Sequence, residues 1–364
     1  MGTTKMHTNL RMTRRNALAG LTALGAGVGS STQAAEAARK PPITGMGVVI
    51  FDCGIRRRRL MKQNPDFDLF EPTNFLEHCQ SLGAGGIQVS LGVMTSQAAA
   101  DLHERARELG MYIEAIVKPP EDKSDLARFE SEVRTAREAG ALAARTVIIP
   151  GRRYERFKTF AEFQEFEKRG QKMVELAVPI VEKHKVPLAI ENHKDQRIED
   201  RVALLERISS QYVGACVDTG NSFALLDDLY GTIEALAPFA FSVHLKDQSL
   251  SEYDEGFLLG DVPLGEGSFD LRRIVAILRA KKPAVRFSLE VITRDALKVP
   301  CLTDRYWKLV PDAAGPDLAR TLRFVRGHVA KSQSISKLPM EQQLQMEDAN
   351  VRTSLKYASE VLDL

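Results

Sequence analysis

The stretch VGACVDTG, residues 213–220, is apolar or small up to Asp218 and then breaks into Thr-Gly. It reads as a strand buried on both faces, as in the interior of a parallel sheet, that stops at a carboxylate. Seven further runs have the same build: GVVIFDCG from 47, GGIQVSLG from 85, MYIEAIVK from 111, ARTVIIPG from 144, PLAIENH from 187, AFSVHLKD from 240 and AVRFSLEV from 284. Between them lie stretches such as PTNFLEHCQSLGA and LARFESEVRTAREAGA, with apolar residues three and four apart and a Gly near the end. Parallel neighbours need a crossover that returns the chain to the same edge. Eight such units therefore predict an α/β chain folded as a (β/α)8 TIM barrel. A doubly wound open sheet is the alternative, but no glycine-rich phosphate fingerprint follows the first strand.

A chain of 364 residues, 44% hydrophobic and 27% charged, can bury a large core. Its first part is read separately. MTRRNALAGLTALGAGVG, from Met12, has Arg14 and Arg15 ahead of a weakly apolar run, and Ala35-Glu36-Ala37 offers a small-x-small cleavage site. The expectation is an export signal of the twin-arginine type over 1–37, a barrel over 38–330, and a C-terminal helical extension over 331–364. That extension packs back on the barrel or on a partner chain, which leaves a homo-oligomer open. A membrane anchor or an unstructured leader is the plainer reading of the first segment, with a cytoplasmic location as the alternative to a periplasmic one. Cleavage removes Lys5, Arg11, Arg14 and Arg15 against Glu36, so the net charge falls by three, from +2 to −1. Bulk charge thus argues against nucleic acid as a partner, and processing leaves no stable membrane anchor. Cys53, Cys79, Cys216 and Cys301 have no C-x-x-C spacing and read as buried thiols.

In a barrel of this kind chemistry sits at the carboxyl ends of the strands. Four polar residues close apolar runs there: Glu191, Asp218, His244 and Glu290. The steps between them are 27, 26 and 46 residues, so the first three fall one strand-helix unit apart. The longer last step holds QSLSEYDEGFLLGDVPLGEGSFD, residues 248–270, read as a lid or rim. Three carboxylates and an imidazole in a confined space repel or take up protons unless a cation joins them. Oxygen-dominated ligation with one nitrogen favours a single divalent ion, Mn²⁺, Mg²⁺ or Co²⁺ over Zn²⁺. Taken one at a time, each residue reads equally as a helix cap, a salt-bridge partner or a solvated charge.

With IENH at 190–193, VDTGN at 217–221, VHLKD at 243–247, PLGEGSFD at 263–270 and SLE at 288–290, the chain resembles the xylose isomerase-like TIM barrels. That group of sugar phosphate isomerases and epimerases includes ketose 3-epimerases, hydroxypyruvate isomerase and inosose dehydratase. The resemblance implies that Glu191, Asp218, His244 and Glu290 bind one divalent metal ion. It also implies that Glu191 and Glu290 transfer protons on opposite faces of a sugar or keto-sugar, through an enediolate. The epimerases usually carry Asp-x-x-His on the sixth strand; here it is Asp-Thr-Gly-Asn, and Asn221 can hydrogen-bond a hydroxyl but not shuttle a proton. By strand parity His193 and Lys246 face the same side as Glu191 and His244 and are expected to touch substrate, whereas Asp247 points away as a loop or capping residue. Lys118, Arg152 with Arg153, and Arg56 to Arg59 are candidate specificity groups or a solvated basic rim. Four functions follow for test: an isomerase or epimerase of an unphosphorylated sugar, a lyase or dehydratase on a 3-keto sugar or inosose, a sugar-binding barrel without turnover, and a nuclease of the endonuclease IV type. The last needs several zinc ions and many histidines, and only His193 and His244 lie near the expected pocket.

Overall fold

The computed structural model describes residues 42–330 and 334–364; the expected export signal lies outside the described residues. Eight parallel strands close into a barrel: β1 (Gly47–Val49), β2 (Gly86–Val89), β3 (Tyr112–Ile116), β4 (Ala144–Thr146), β5 (Leu188–Glu191), β6 (Val213–Asp218), β7 (Ala240–Leu245) and, after two strands outside the barrel, β10 (Phe287–Leu289). The two outside are β8 (Asp247–Tyr253) and β9 (Gly256–Val262). Closure is carried by β1, which pairs with β2 on one side and β10 on the other. Each barrel strand is buried nearly throughout, as the apolar runs require, and helices between the strands cover the outside. Among the described residues no helix is long and apolar enough to cross a membrane, and the four cysteines are buried free thiols.

Two stretches differ from the sequence reading. The first run stops as a strand at Val49, and Ile50–Cys53 turns into a 3-10 helix. Asp52, inside that turn, accepts the Val291 N–H at 2.7 Å and so ties the exit of β1 to the exit of β10. The expected lid over 248–270 is largely regular structure. β8 and β9 form an antiparallel hairpin, and β11 (Leu297–Val299) adds to its edge. The hairpin turns through Asp254 and Glu255 into Gly256, where a Cβ would lie 2.1 Å from the Val299 carbonyl oxygen. Only glycine lets β11 approach so closely. Asp247 starts the hairpin and gathers the following loop, accepting the N–H groups of Gly265, Gly267 and Phe269 at 2.9, 2.9 and 3.2 Å.

The long C-terminal helix, Met340–Val361, packs on the helix Gly54–Gln63 and on β10. Glu347 on its buried face accepts the N–H groups of Ile55 and Arg56, at 2.7 and 2.8 Å. Those are the second and third amides of the helix Gly54–Gln63, in the turn that has no intrahelical acceptor, and its own N-cap residue, Cys53, supplies no side-chain acceptor. The arginines beside it are occupied too: Arg56 pairs with Asp348 and Arg57 with Asp68. We expect Glu347→Ala to destabilise the fold by about 2 kcal/mol, the size of a lost cap with buried amides left unpaired. Urea unfolding checks this, and an unchanged midpoint would show that the contact is idle.

Candidate metal centre

The register of the strands places the four strand-end residues together. Asp218 pairs with His244 across β6 and β7, and His244 pairs with Ser288 across β7 and β10, which puts Glu290 one pleat higher. One ligating atom from each of Glu191, Asp218, His244 and Glu290 lies within 4.8 Å of all the others. None of the four is more than 4% exposed.

Each side chain is aimed by its neighbours. Asp218 Oδ1 accepts the N–H groups of Gly220 and Asn221 at 2.9 and 2.8 Å, which turns the chain sharply after β6 and leaves Oδ2 facing inward. Asn192 holds the same turn, accepting the Asp218 N–H at 2.8 Å. His244 Nε2 lies 2.7 Å from Gln88 Oε1, while Gln88 Nε2 donates to Glu114 at 2.8 Å. The Gln88 oxygen must therefore accept, so His244 carries its hydrogen on Nε2 and turns Nδ1 toward the carboxylates. That Nδ1 is 3.3 Å from Glu290 Oε2, 3.7 Å from Glu191 Oε2 and 3.8 Å from Asp218 Oδ2.

Three of these inward atoms, Asp218 Oδ2, His244 Nδ1 and Glu290 Oε2, are buried without a hydrogen-bond partner. The Lys246 ammonium is in ionic contact with the two carboxylates, 2.9 Å from Asp218 Oδ2 and 2.7 Å from Glu290 Oε2, but is not aligned to hydrogen-bond them. Buried polar atoms left unpaired in one place are the mark of a site that takes another ligand. The donor set fits a divalent cation: bonds of about 2.1 Å separate neighbouring ligand atoms by about 3 Å and opposite ones by about 4 Å. Burial disfavours charge on His244, yet Cys216, Glu290 and Glu191 outweigh it and raise its pKa well above the usual value. A cation bound among the same groups would take the place of that proton.

The two glutamates are held differently. Burial raises Glu191, but Arg145 and His244 outweigh it and leave its carboxyl below the usual range. Arg145, from β4, donates both Nε, at 2.6 Å, and Nη2 to Glu191 Oε2, and Asn221 Nδ2 donates to Oε1 at 2.9 Å. Glu290 has no such clamp. Burial raises it too, but the Lys246 ammonium and His244 hold its carboxyl well below the usual value. Lys246, which burial alone would neutralise, is kept charged by Asp218 and Glu290.

The other expected substrate groups divide. Asn221 and Lys246 are in the centre, with Lys246 Nζ 3.4 Å from Asn221 Oδ1. His193 is turned to the Gly151 carbonyl, with Nδ1 at 2.9 Å, because β5 ends at Glu191 and strand parity no longer applies beyond it. Lys194 enters instead: its ammonium donates to Asn221 Oδ1. Burial, with Lys246 beside it, draws its pKa down to about 8. Lys118 is exposed and paired with Glu121, and Arg152 is paired with Glu155, so neither reaches the four ligands. Lys118 does line a cavity of about 830 Å³ outside β3 and β4, where it is joined by Arg145, Ile148, Phe166 and Met173. Arg153 is structural, fixed to Asp312 and laid over Phe163. Sequence reading missed Arg145 and Lys194. The first was visible as a lone charge inside an apolar run, the second only as one polar residue in HKDQR.

Comparison with known proteins agrees with this architecture. The solved structure of an L-ribulose 3-epimerase is 13% identical, with a TM-score of 0.54 over 87% of this chain and 94% of that one. A D-psicose 3-epimerase crystallised in the presence of D-fructose is 15% identical, with a TM-score of 0.51 over 79% and 92%. At such identities the likeness is one of fold. A curated relative, 3-oxo-isoapionate decarboxylase of Pectobacterium atrosepticum, is 27% identical over 100 residues, 27% of this chain and 36% of that protein. The chain thus matches about a third of that relative's length. Residues 76–322, from the helix before β2 to the second helix after β11, match the family described as xylose isomerase-like TIM barrel. With eight parallel strands closed around a four-residue cluster at their carboxyl ends, the chain belongs to that xylose isomerase-like TIM barrel family.

Proposed function

We propose that the protein is a divalent-metal-dependent enzyme acting on a keto sugar or keto-polyol through an enediolate, and that it works as a lyase. The Arg145 clamp on Glu191 carries this reading. An epimerase needs two groups that each take and return a proton, one on each face of the carbon. Glu191 has both oxygens engaged, one by Arg145 and the other by Asn221, which suits a fixed metal ligand better than a base. Glu290 keeps an inward oxygen, with the Lys246 ammonium 2.7 Å away. In the proposed sequence Glu290 takes the proton from the carbon next to the carbonyl. The oxygen substituent one carbon further then leaves with its bonding electrons and with the proton that Glu290 has taken, and a double bond forms between the two carbons. A divalent cation would be held by Glu191, Asp218, His244 and Glu290 and would supply a Lewis acid for the developing oxyanion. The curated relative is by name a decarboxylase, and its loss of a group supports bond cleavage over simple proton relocation.

Isomerisation or epimerisation is the second reading, favoured by the presence of both Glu191 and Glu290 around one imidazole nitrogen. Product analysis separates them. A panel of 3-keto sugars and inososes, turned over in D₂O and followed by mass spectrometry and NMR, is expected to lose water or an alcohol. A product of unchanged mass apart from deuterium would replace the lyase by an isomerase.

A further inference from the structure

Buried cations in this chain come with carboxylates. Arg145 has Glu191, Arg153 has Asp312, Arg197 has Asp227 and Arg201 has Asp195. Lys194 is different. The residue is only 5% exposed, its ammonium donates to the neutral Asn221 Oδ1, and among the described residues no carboxylate lies within ion-pair distance of it. Asp218 and Asp261 act on it only from beyond ion-pair distance, and a buried ammonium whose one contact is an amide oxygen is poorly compensated.

Lys246 approaches the same oxygen from the other strand end, at 3.4 Å, while leaning on Asp218 Oδ2 and Glu290 Oε2. These two oxygens belong to the cluster suited to a divalent cation, whose charge competes with the ammonium for them. Asn221 cannot turn to offer more, because its Nδ2 is committed to Glu191. Two ammonium groups therefore share one neutral acceptor at the edge of the metal centre; Lys194 has no carboxylate in contact among the described residues, and Lys246 would yield part of its own pair to a cation bound by the same two oxygens.

We infer that the substrate carries a carboxylate, received by Lys194 and Lys246 on either side of Asn221, so that the substrate class is a keto sugar acid rather than a neutral keto sugar. This rests on the metal-dependent reading above and narrows its substrate. A planar carboxylate offers one oxygen to each ammonium. A phosphate shares the charge but asks for more donors, and its backbone-amide cradle is lacking among the contacts of Lys194 and Lys246.

Calorimetric titration of the magnesium-loaded protein with gluconate, glucitol and glucitol 6-phosphate tests it. Gluconate is expected to bind at least about tenfold more tightly than glucitol, and more tightly than the phosphate. Lys194→Met is expected to bring gluconate within about threefold of glucitol, while Lys194→Arg keeps the preference. Equal binding of gluconate and glucitol, tighter binding of the phosphate, or a preference that survives Lys194→Met overturns the inference. If Lys194→Met does not fold, the wild-type preference decides alone. Titration with magnesium separates the two readings: a protein that binds the ion without preferring the acid loses this inference only, and one that binds no divalent ion loses the proposed function.

Discussion

Glu290→Gln is expected to lower turnover by about three orders of magnitude, with a smaller effect on substrate affinity. The amide cannot accept the proton that the carboxylate takes, and it offers a weaker ligand at an atom that faces His244 at 3.3 Å and Lys246 at 2.7 Å. The loss falls on kcat because the missing interaction is made in the transition state. The variant also changes the response to acid. A carboxyl held below its ordinary value stabilises the native state above the unfolded pKa, about 4.3, and that contribution is lost as pH falls through the lower folded value. Unfolding of Glu290→Gln between pH 3 and 7 should therefore depend less steeply on pH than that of the parent. Steady-state kinetics and urea titrations measure both, and a variant with more than about a tenth of the parent kcat removes Glu290 from the chemistry.

Arg145→Leu is the second large effect, and it acts first on stability. Glu191 is 1% exposed and its Oε2 is bound twice by that guanidinium. Leucine leaves a buried carboxylate without its cation, which costs about 3–5 kcal/mol, and its pKa rises toward the value that burial alone dictates. For a barrel of this size, scanning calorimetry should show the midpoint lower by about 6–12 °C. A divalent ion ligated by Glu191 restores part of the missing charge, so added magnesium should raise the midpoint of Arg145→Leu more than that of the parent. A midpoint unchanged by the substitution would mean that Glu191 has another counter-charge.

The barrel was legible because each strand is a short apolar run and each crossover a helix with 3.6-residue spacing, both local patterns. The four cluster residues were legible because each ends such a run. Lys194 and Arg145 were not, for opposite reasons. Lys194 follows the end of β5, where the chain bends and parity stops predicting direction, so His193 was expected in its place. Arg145 sits inside β4, which is only Ala144–Thr146, and its partner Glu191 is 46 residues away. The hairpin of β8 and β9 was missed as regular structure because its strands mix buried and solvent-facing positions, and length alone had suggested a loop.

Glu347 meets amides that precede it by 292 and 291 positions, and Thr44 reaches the carbonyl of Leu364 across 320. On a ribosome, the first turn after β1 emerges long before the acid that seats it exists. The opening helix therefore lacks this cap until the helix Met340–Val361 has left the exit tunnel, and such distant pairing slows the search. Nascent chains stalled before residue 340 should leave the opening helix cleavable by protease, however complete the remaining staves.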